Sequence, residues 1–437
     1  MSQSAKPDQA LGRPVTSASI IARTAGWQRD LALSVLTQVF QKLPGLLAAV
    51  VLARHFDKEL IGQFFFLGVV GYIAATASHL GTDRELRRSV AQRPDEALHM
   101  LGQVLPLHLT TTLLLWIGIN GAVALFAPHL LQLSALTTAY LMMGQLFYTF
   151  SAVFVGLRWM GLRLAVGVIG PVLIAMSALA VLLGWSLPSV LGLYVAANAI
   201  MVGVAFKVVS AHLGPVRMQL RLSTVRPVLI VALPFFAIEM LTLMQGKIDV
   251  LMIFLLSTPV QVADYETSYR LLEATRTLVR PLMMVFVPIA AAMFITNKQA
   301  ELVQLIWRLI GTVSVAGVAL AVICIAMAEP IVTTIWGESF QSGAGIFAVL
   351  ALSTIPLFVS LACVQLAGAL HRERECLKIL VPVVLANAVL NAFVIPFYGA
   401  LGAAWTTFAT ECLAATLLLG LILRATRATA TEAKRDG

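Results

Sequence analysis

The chain has 437 residues, of which 59% are hydrophobic and 12% are charged, and its formal net charge is +9. Soluble domains are about 45–50% apolar even when glycine is counted, and about 25% of their residues are charged. This composition excludes an ordinary soluble enzyme or binding domain and indicates an integral membrane protein.

Apolar segments that are long enough to cross a membrane recur along almost the whole chain. A helix needs about 20 apolar residues to span a hydrocarbon core of about 30 Å. The first 30 residues are polar and lack the apolar stretch of a cleavable signal, so we expect the chain to insert through its own helices. The twelve predicted spans are 31–53, 62–82, 101–127, 133–156, 164–184, 188–209, 229–257, 264–294, 307–328, 344–370, 376–397 and 400–424.

Lysine and arginine concentrate in alternate connections between these segments, as they do in the cytoplasmic loops of membrane proteins. Of the 30 basic residues, 23 fall on one side, and only Arg54 and Lys58 fall on the other. We therefore expect both termini to be cytoplasmic. The positive charge indicates topology and contact with anionic headgroups, not nucleic-acid binding.

The longest polar interruption lies between the sixth and seventh segments and divides the chain into two halves of equal orientation. Such halves are related by an axis along the membrane normal, and substrates of such proteins bind between them near the midplane. The predicted domains are a cytoplasmic tail (1–30), an N-terminal lobe (31–209), a cytoplasmic linker (210–228), a C-terminal lobe (229–425) and a second cytoplasmic tail (426–437).

The sequence offers few signs of metal or nucleotide chemistry. The four cysteines have no CxxC spacing, so neither a disulfide framework nor a zinc site is expected. The GxxxxGK[ST] phosphate loop of ATP-hydrolysing proteins does not occur in the sequence. We predict that the protein uses no cofactor and no metal.

Each half carries a lysine near the middle of its first segment. At a rise of about 1.5 Å per residue, Lys42 and Lys247 lie about 16 and 15 Å from the outer ends of their helices. A charge at the bilayer centre costs about 2.5–3.5 kcal/mol on insertion scales, so it needs a wet cavity or a partner. We predict that both lysines face a central cavity, with Gln41 and Gln245 as supporting polar residues. A purely structural contact between helices is the alternative.

Asp249 follows Lys247 by two positions, which separates the two side chains by about 200° around a helix. They cannot form a local ion pair. We expect Lys247 to face the cavity and Asp249 to bind a neighbouring helix, and we assign Glu239 a similar structural role.

The eighth segment carries a polar stripe. A step of about 100° per residue places its polar residues within an arc of about 140°, as in the wall of an aqueous cavity. We predict that Arg270, Arg276 and Arg280 supply positive charge for an anion, after Glu273 pairs with Arg270 or Arg276. The stripe contains Tyr265, Glu266, Tyr269, Arg270, Glu273, Arg276, Thr277 and Arg280. On the cytoplasmic side, Asp83, Arg84 and Arg88 of the charged loop after the second segment are candidates for a gate.

The chain also resembles a known family, the bacterial polysaccharide flippases of the multidrug/oligosaccharidyl-lipid/polysaccharide exporter superfamily. The similarity runs in matching order through nearly the whole chain. The residues that carry it are "LARHFDKELIGQFFF" (52–66), "HLGTDRELRRSVAQ" (79–92), "KIDVLMIFLLSTPVQVADY" (247–265), "TIWGESFQSGAGIFAVLAL" (334–352) and "VLNAFVIPFYGALGAAW" (389–405).

The resemblance implies two six-helix lobes that open alternately to either side of a bacterial inner membrane. It also implies a substrate made of a polyprenyl diphosphate and a short glycan, with membrane lipids and polysaccharide polymerase or export machinery as partners. The predicted cavity cations would then neutralise the diphosphate.

Two other functions stay open. An ion-coupled multidrug antiporter shares the superfamily, but its cationic substrates would require carboxylates at mid-span positions of the first lobe, where the sequence has none. A membrane glycan polymerase or ligase would need acid, base or arginine groups on a large outer loop. The longest outer connection, 329–343, has two acidic residues and no basic residue, so we expect the protein not to be an enzyme.

Overall fold

The computed structural model describes residues 27–219, 222–275, 279–296, 298–370 and 372–433. The elements within these ranges are helices, and no strand occurs among them. Helices suit a lipid environment because each one satisfies its backbone hydrogen bonds internally. The predicted all-α fold is therefore confirmed.

The N-terminal lobe contains nine α-helices within the described residues. Short 3-10 turns at Pro94–Glu96 and Pro128–Leu130 precede its fourth and fifth helices. The helices are α1 (Trp27–His55), α2 (Lys58–Ser78), α3 (Thr82–Gln92), α4 (Ala97–Phe126), α5 (Leu131–Gly156), α6 (Met160–Gly167), α7 (Ile169–Met176), α8 (Ala178–Leu182) and α9 (Leu187–Leu213).

The C-terminal lobe begins with a long helix and ends with one. A 3-10 segment, Glu338–Gly343, follows its fifth helix. The helices in the described residues are α10 (Leu222–Leu256), α11 (Pro259–Thr275), α12 (Val279–Ile295), α13 (Gln299–Ala326), α14 (Ala328–Trp336), α15 (Ala344–Leu352), α16 (Thr354–Ala369) and α17 (Glu373–Ala433).

Seven helical stretches in the described residues are long and apolar enough to cross a membrane, and an eighth forms if the two arms of a 42° bend, 338–352 and 354–369, count as one. Several helices extend beyond their predicted apolar limits, because a helix can continue through polar residues after it leaves the hydrocarbon. The number of twelve spans and the cytoplasmic position of the termini stay predictions.

A glycine kink explains why α17 covers two predicted spans. Gly399 has a φ of 57° and a ψ of −140°, a non-helical conformation that favours glycine. The Gln261 side chain accepts a hydrogen bond from the Ala400 amide at 2.6 Å, which satisfies a backbone donor at this break. The chain therefore turns between 398 and 400, close to the predicted boundary between the last two spans.

The buried apolar residues are arranged differently at the two ends of the molecule. At the end predicted to face outwards, here called the outer end, one cluster joins the lobes and includes Leu52 and Phe65 of the first lobe with Val262, Trp336 and Phe340 of the second. At the inner end, the first lobe and the second lobe have separate clusters. The lobes therefore share a buried apolar core at one end and have separate apolar cores towards the predicted cytoplasmic side.

Candidate functional site

Two chambers lie along the interface between the lobes, and the side chain of Tyr72 lines both. The outer chamber has a volume of about 250 Å³ and the inner chamber about 650 Å³. Ligand pockets usually measure about 300–1,000 Å³, so the inner chamber alone can hold a small polar group. The outer chamber is lined by Phe64, Phe65, Gly68, Val69, Tyr72, Tyr140, Leu141, Lys247, Glu266, Arg270 and Glu273.

Glu266 is the centre of the charged group in the outer chamber. Its two carboxylate oxygens lie 3.2 and 3.3 Å from Lys247 Nζ, and Oε1 lies 3.2 Å from Arg270 Nε. The Glu266 side chain is 3% exposed, so water screens these contacts poorly. One carboxylate therefore binds two cations, and the group retains one net positive charge.

Aromatic rings also contact the same two cations. Lys247 Nζ lies 5.2 Å from the centre of the Tyr269 ring, and Arg270 Cζ lies 4.6 Å from the centre of the Phe65 ring. Both distances are within cation–π range. Ring faces orient a cation without removing its charge, so the pair can still attract an anion.

The inner chamber carries three arginines. Arg84 and Arg87 extend from α3, and Arg163 from α6, where its Nε donates a hydrogen bond of 2.9 Å to Ser151 Oγ. Glu239 of α10 forms part of the opposite wall. The lining residues are Tyr72, Thr76, His79, Gly81, Asp83, Arg84, Arg87, Gln145, Tyr148, Ser151, Val155, Met160, Arg163 and Glu239.

Lys58 closes the interface at the outer end. Its Nζ lies 2.6 Å from Asp264 Oδ1 and donates hydrogen bonds to Ser342 Oγ at 2.6 Å and to the Ser339 carbonyl at 3.0 Å. Ser342 in turn donates to Asp264 Oδ2 at 3.0 Å. Because Lys58 belongs to the first lobe and its partners to the second, these bonds join the lobes.

Arg54 also joins the two lobes at the outer end. Its guanidinium donates to the carbonyl of Ile335 at 3.0 Å and to that of Thr334. Arg54 and Lys58 are the two basic residues that the sequence places on the outer side. Both cross from the first lobe to the second at this end.

Asp249 holds three helices of the C-terminal lobe together. It accepts hydrogen bonds from Tyr265 Oη at 2.5 Å, Asn391 Nδ2 at 2.6 Å and Thr407 Oγ1 at 2.9 Å. The side chain is buried, and Gln245 lies beside it on the wall of a small void of about 20 Å³. Asp249 and Lys247 thus bind different neighbours, in keeping with their separation around the helix.

A second buried polar cluster lies at the junction of α2 and α3. His79 Nδ1 lies 2.7 Å from Asp83 Oδ2, and the His79 and His108 rings stack with centres 4.1 Å apart. Burial acts to raise the pKa of Asp83, but the charge and hydrogen bond of His79, with smaller effects from His108 and Arg87, hold this pKa below its usual value.

The same cluster is the one group in the described residues with the donor types and spacing of a metal site. One ligand atom each from His79, Asp83 and His108 lies within 4.8 Å of the other two. Both His108 nitrogens are already hydrogen-bonded, to Thr82 at 2.6 Å and Thr149 at 2.7 Å. Parallel stacked rings also direct their in-plane lone pairs poorly at one ion. The arrangement is that of a hydrogen-bond network.

The structure distributes the predicted site residues unevenly. Lys42 is exposed and Gln41 lies near Gly167, and neither lines a chamber described here. Arg88 is exposed and lines neither chamber, whereas Asp83 and Arg84 line the inner one. Arg276 and the side chain of Arg280 lie outside the described residues. The cavity role of these residues stays a prediction.

The expected pair between Glu273 and Arg270 is wrong. Arg270 bonds Glu266, one turn earlier on the same helix, while Glu273 is exposed on the wall of the outer chamber. Arg270 pairs with Glu266 because this carboxylate is buried beside Lys247. Two cations offset the cost of burying its negative charge better than one would. The alternative pair with Arg276 lies outside the described residues.

Sequence reasoning also missed three residues that the structure places at the site. Glu266 belongs to the predicted polar stripe, and its position one turn before Arg270 favours an ion pair between the two side chains. Arg87 and Arg163 belong to the 23 basic residues that the sequence places on the cytoplasmic side, with no further signal of a site. Their presence in the inner chamber depends on how α3 and α6 pack, which loop charge alone does not reveal.

Comparison with known proteins places this arrangement in a family. The sequence profile described as "polysaccharide biosynthesis protein" matches residues 28–294, which is more than half of the chain. The chain belongs to this family. No curated protein matches its sequence.

Three solved structures, of two transporters and a flippase, share the fold of this chain. A multidrug resistance MATE transporter of the MOP superfamily in an inward-facing conformation has a TM-score of 0.70 at 13% identity, with 92% of this chain and 99% of that chain covered. The lipid II flippase MurJ in an inward closed conformation has a TM-score of 0.63 at 14% identity, with 92% and 91% covered.

A third solved structure is a MOP superfamily transporter from Pyrococcus furiosus, whose binding pocket is described as reversed in polarity. It has a TM-score of 0.61 at 14% identity, with 92% of this chain and 96% of that chain covered. At such low identity these likenesses establish the fold alone. The protein is a multi-pass membrane protein with the MOP transporter fold.

Proposed function

We propose that the protein is a flippase that moves a polyprenyl-diphosphate-linked oligosaccharide from the cytoplasmic to the outer leaflet of a bacterial inner membrane. The supporting observation is the pair of chambers between the lobes, which carries arginines towards the predicted cytoplasmic side and Lys247 and Arg270 within predicted membrane spans. Charged side chains within membrane spans usually mark a substrate path. A diphosphate is the part of this substrate that such cations would bind.

The two ends of the interface support alternating access. The outer end is closed by the bonds of Arg54 and Lys58 and by a shared apolar core, while the apolar cores of the lobes are separate at the inner end. A chamber accessible from the cytoplasmic side can receive a diphosphate and its glycan while the polyprenyl tail stays in the bilayer. Separation of the outer contacts would then release the glycan on the other side.

The charge of the chambers favours an anionic substrate over the cationic drugs of a multidrug antiporter. The described lining residues include five lysine or arginine side chains and four carboxylates. Two of these carboxylates, Asp83 and Glu266, are bonded to His79 and to two cations, respectively. A bonded carboxylate offers little to an incoming cation. Arg87 and Arg163 have no carboxylate partner among the described residues.

Depletion of the protein in the bacterium that carries it tests the proposal. We expect polyprenyl-diphosphate-linked oligosaccharide to accumulate in the lipid extract while surface polysaccharide is lost. Expression of Lys247→Gln or Arg270→Gln should fail to restore export although both variants reach the membrane. Glu301→Gln, an exposed change on α13, is the matched control. Unchanged lipid-linked pools after depletion would favour the antiporter.

A further inference from the structure

The cations of the two chambers differ in their ion pairing. In the outer chamber, Lys247 and Arg270 share the carboxylate of Glu266. In the inner chamber, neither Arg87 nor Arg163 has a carboxylate within salt-bridge distance among the described residues. Asp83 and Glu239 line the inner chamber as well, but neither is within salt-bridge distance of Arg87 or Arg163. An anion that enters from the predicted cytoplasmic side therefore meets arginines without an ion pair before it meets the two cations that share Glu266.

The geometry of Arg163 leaves its anion-binding face available. Only its Nε is hydrogen-bonded, to Ser151 at 2.9 Å, and the terminal nitrogens make no bond within the described residues. A guanidinium anchored at one nitrogen is already oriented, so less side-chain entropy is lost when its other nitrogens bind phosphate oxygens. Arg163 is partly buried, which weakens screening by water.

Arg87 lines the same chamber as Arg163. The two positive charges oppose each other, and a bound anion would relieve this repulsion. Arg87 is exposed, on the solvent-facing side of the amphipathic helix α3. Neutral donors stand beside the pair, because Tyr148 and Gln145 line the same chamber. Two arginines with neutral donors match the several oxygens of a diphosphate.

We propose that Arg87 and Arg163 form a first docking site for the diphosphate, from which the substrate passes Tyr72 to the Lys247 and Arg270 site. The inference rests on the proposed function. The inner site captures the anion from the cytoplasmic side. The outer site then binds the diphosphate only when the ion pairs of Glu266 with Lys247 and Arg270 weaken.

Binding of a short polyprenyl diphosphate to the purified full-length protein tests this order. The probe is farnesyl diphosphate in detergent, and farnesol is the uncharged control ligand. We expect Arg87→Gln and Arg163→Gln each to weaken diphosphate binding about tenfold or more, with farnesol binding unchanged. Arg93→Gln is the matched control, because Arg93 is at the end of α3, is 69% exposed and lines neither chamber.

Further variants distinguish a wrong docking site from a misfolded variant and from a wrong proposed function. Arg163→Lys, which keeps the charge but loses the fork of donors, should bind between wild type and Arg163→Gln, and thermal unfolding should verify that each variant is folded. If both glutamine variants bind like wild type while Lys247→Gln and Arg270→Gln do not, the docking site is wrong and the proposed function stands. If the wild-type protein binds farnesyl diphosphate no better than farnesol, the proposed function fails as well.

Discussion

Lys58 Nζ lies 2.6 Å from Asp264 Oδ1, and this ion pair joins the two lobes at the outer end of the substrate path. The Asp264 side chain is only 7% exposed, so separation of the pair would leave a carboxylate that is poorly hydrated. An unsatisfied buried polar group costs about 1–3 kcal/mol. The pair therefore stabilises the state that is closed to the outside.

Replacement of Lys58 should open the outer end. We expect Lys58→Ala to increase labelling of a cysteine placed at Gly68, a position on the outer chamber wall with free space for a side chain. The measurement is the rate of reaction with an impermeant maleimide added outside cells, in a protein whose four native cysteines are replaced by alanine. Lys298→Ala is the control. Equal rates in both variants would rule out a latch at Lys58.

Glu266 should set how strongly the outer chamber holds an anion. Glu266→Gln removes the negative charge shared by Lys247 and Arg270. We expect farnesyl diphosphate to bind several-fold more tightly and polysaccharide export to fall, because release becomes slower. Titration of the probe and a surface-glycan assay check the two parts. Weaker binding of the probe would mean that Glu266 serves mainly to position the cations.

Asp249 should contribute more to stability than a polar residue on the surface. Hydrogen bonds between membrane helices average about 0.6 kcal/mol and reach about 1.7 kcal/mol. Because Asp249 accepts three, we expect Asp249→Ala to lower the free energy of unfolding by about 2–4 kcal/mol. Thermal unfolding in detergent measures the change, with Thr312→Ala on an exposed face as the control. An unchanged melting temperature would contradict this role.

The contribution of Asp83 should depend on pH with a defined sign. Its pKa is lower in the folded protein than the ordinary value of 3.8, so ionised Asp83 stabilises the fold above that value. This stabilisation is lost as the pH falls through the lowered pKa. We expect the stability difference between wild type and Asp83→Asn to be largest near neutral pH and to shrink below about pH 4. Asp95→Asn, an exposed change, should show no such trend.

The all-helical fold could be predicted because hydrophobic length alone identifies helices in a membrane. The kink at Gly399 was visible as a boundary between two spans. The break of the 338–369 stretch at Ser353 lies inside the single predicted span 344–370, at a point where Ser353, Thr354 and Pro356 interrupt the apolar residues. Hydropathy measures burial in lipid and carries little information about bends within a span.

The candidate site was predictable only where a charged residue interrupts an apolar segment or lies on the side with few basic residues. Lys247 and Arg270 stood out because a charge is rare at membrane depth, and the structure places both in one chamber. Arg54 and Lys58 stood out as the two basic residues on the outer side, but their contacts with the opposite lobe follow from packing of distant segments. Arg87 and Arg163 looked like ordinary loop charges for the same reason.

Movement of a labelled substrate across a defined bilayer tests the central claim most directly. The purified protein is reconstituted into vesicles that contain a fluorescent polyprenyl-diphosphate-linked sugar, and dithionite added outside destroys the accessible label. We predict that vesicles with the wild-type protein lose more fluorescence than empty vesicles, and that vesicles with Lys247→Gln protein resemble the empty ones. Equal protection of the label in wild-type and empty vesicles would contradict the assignment as a flippase.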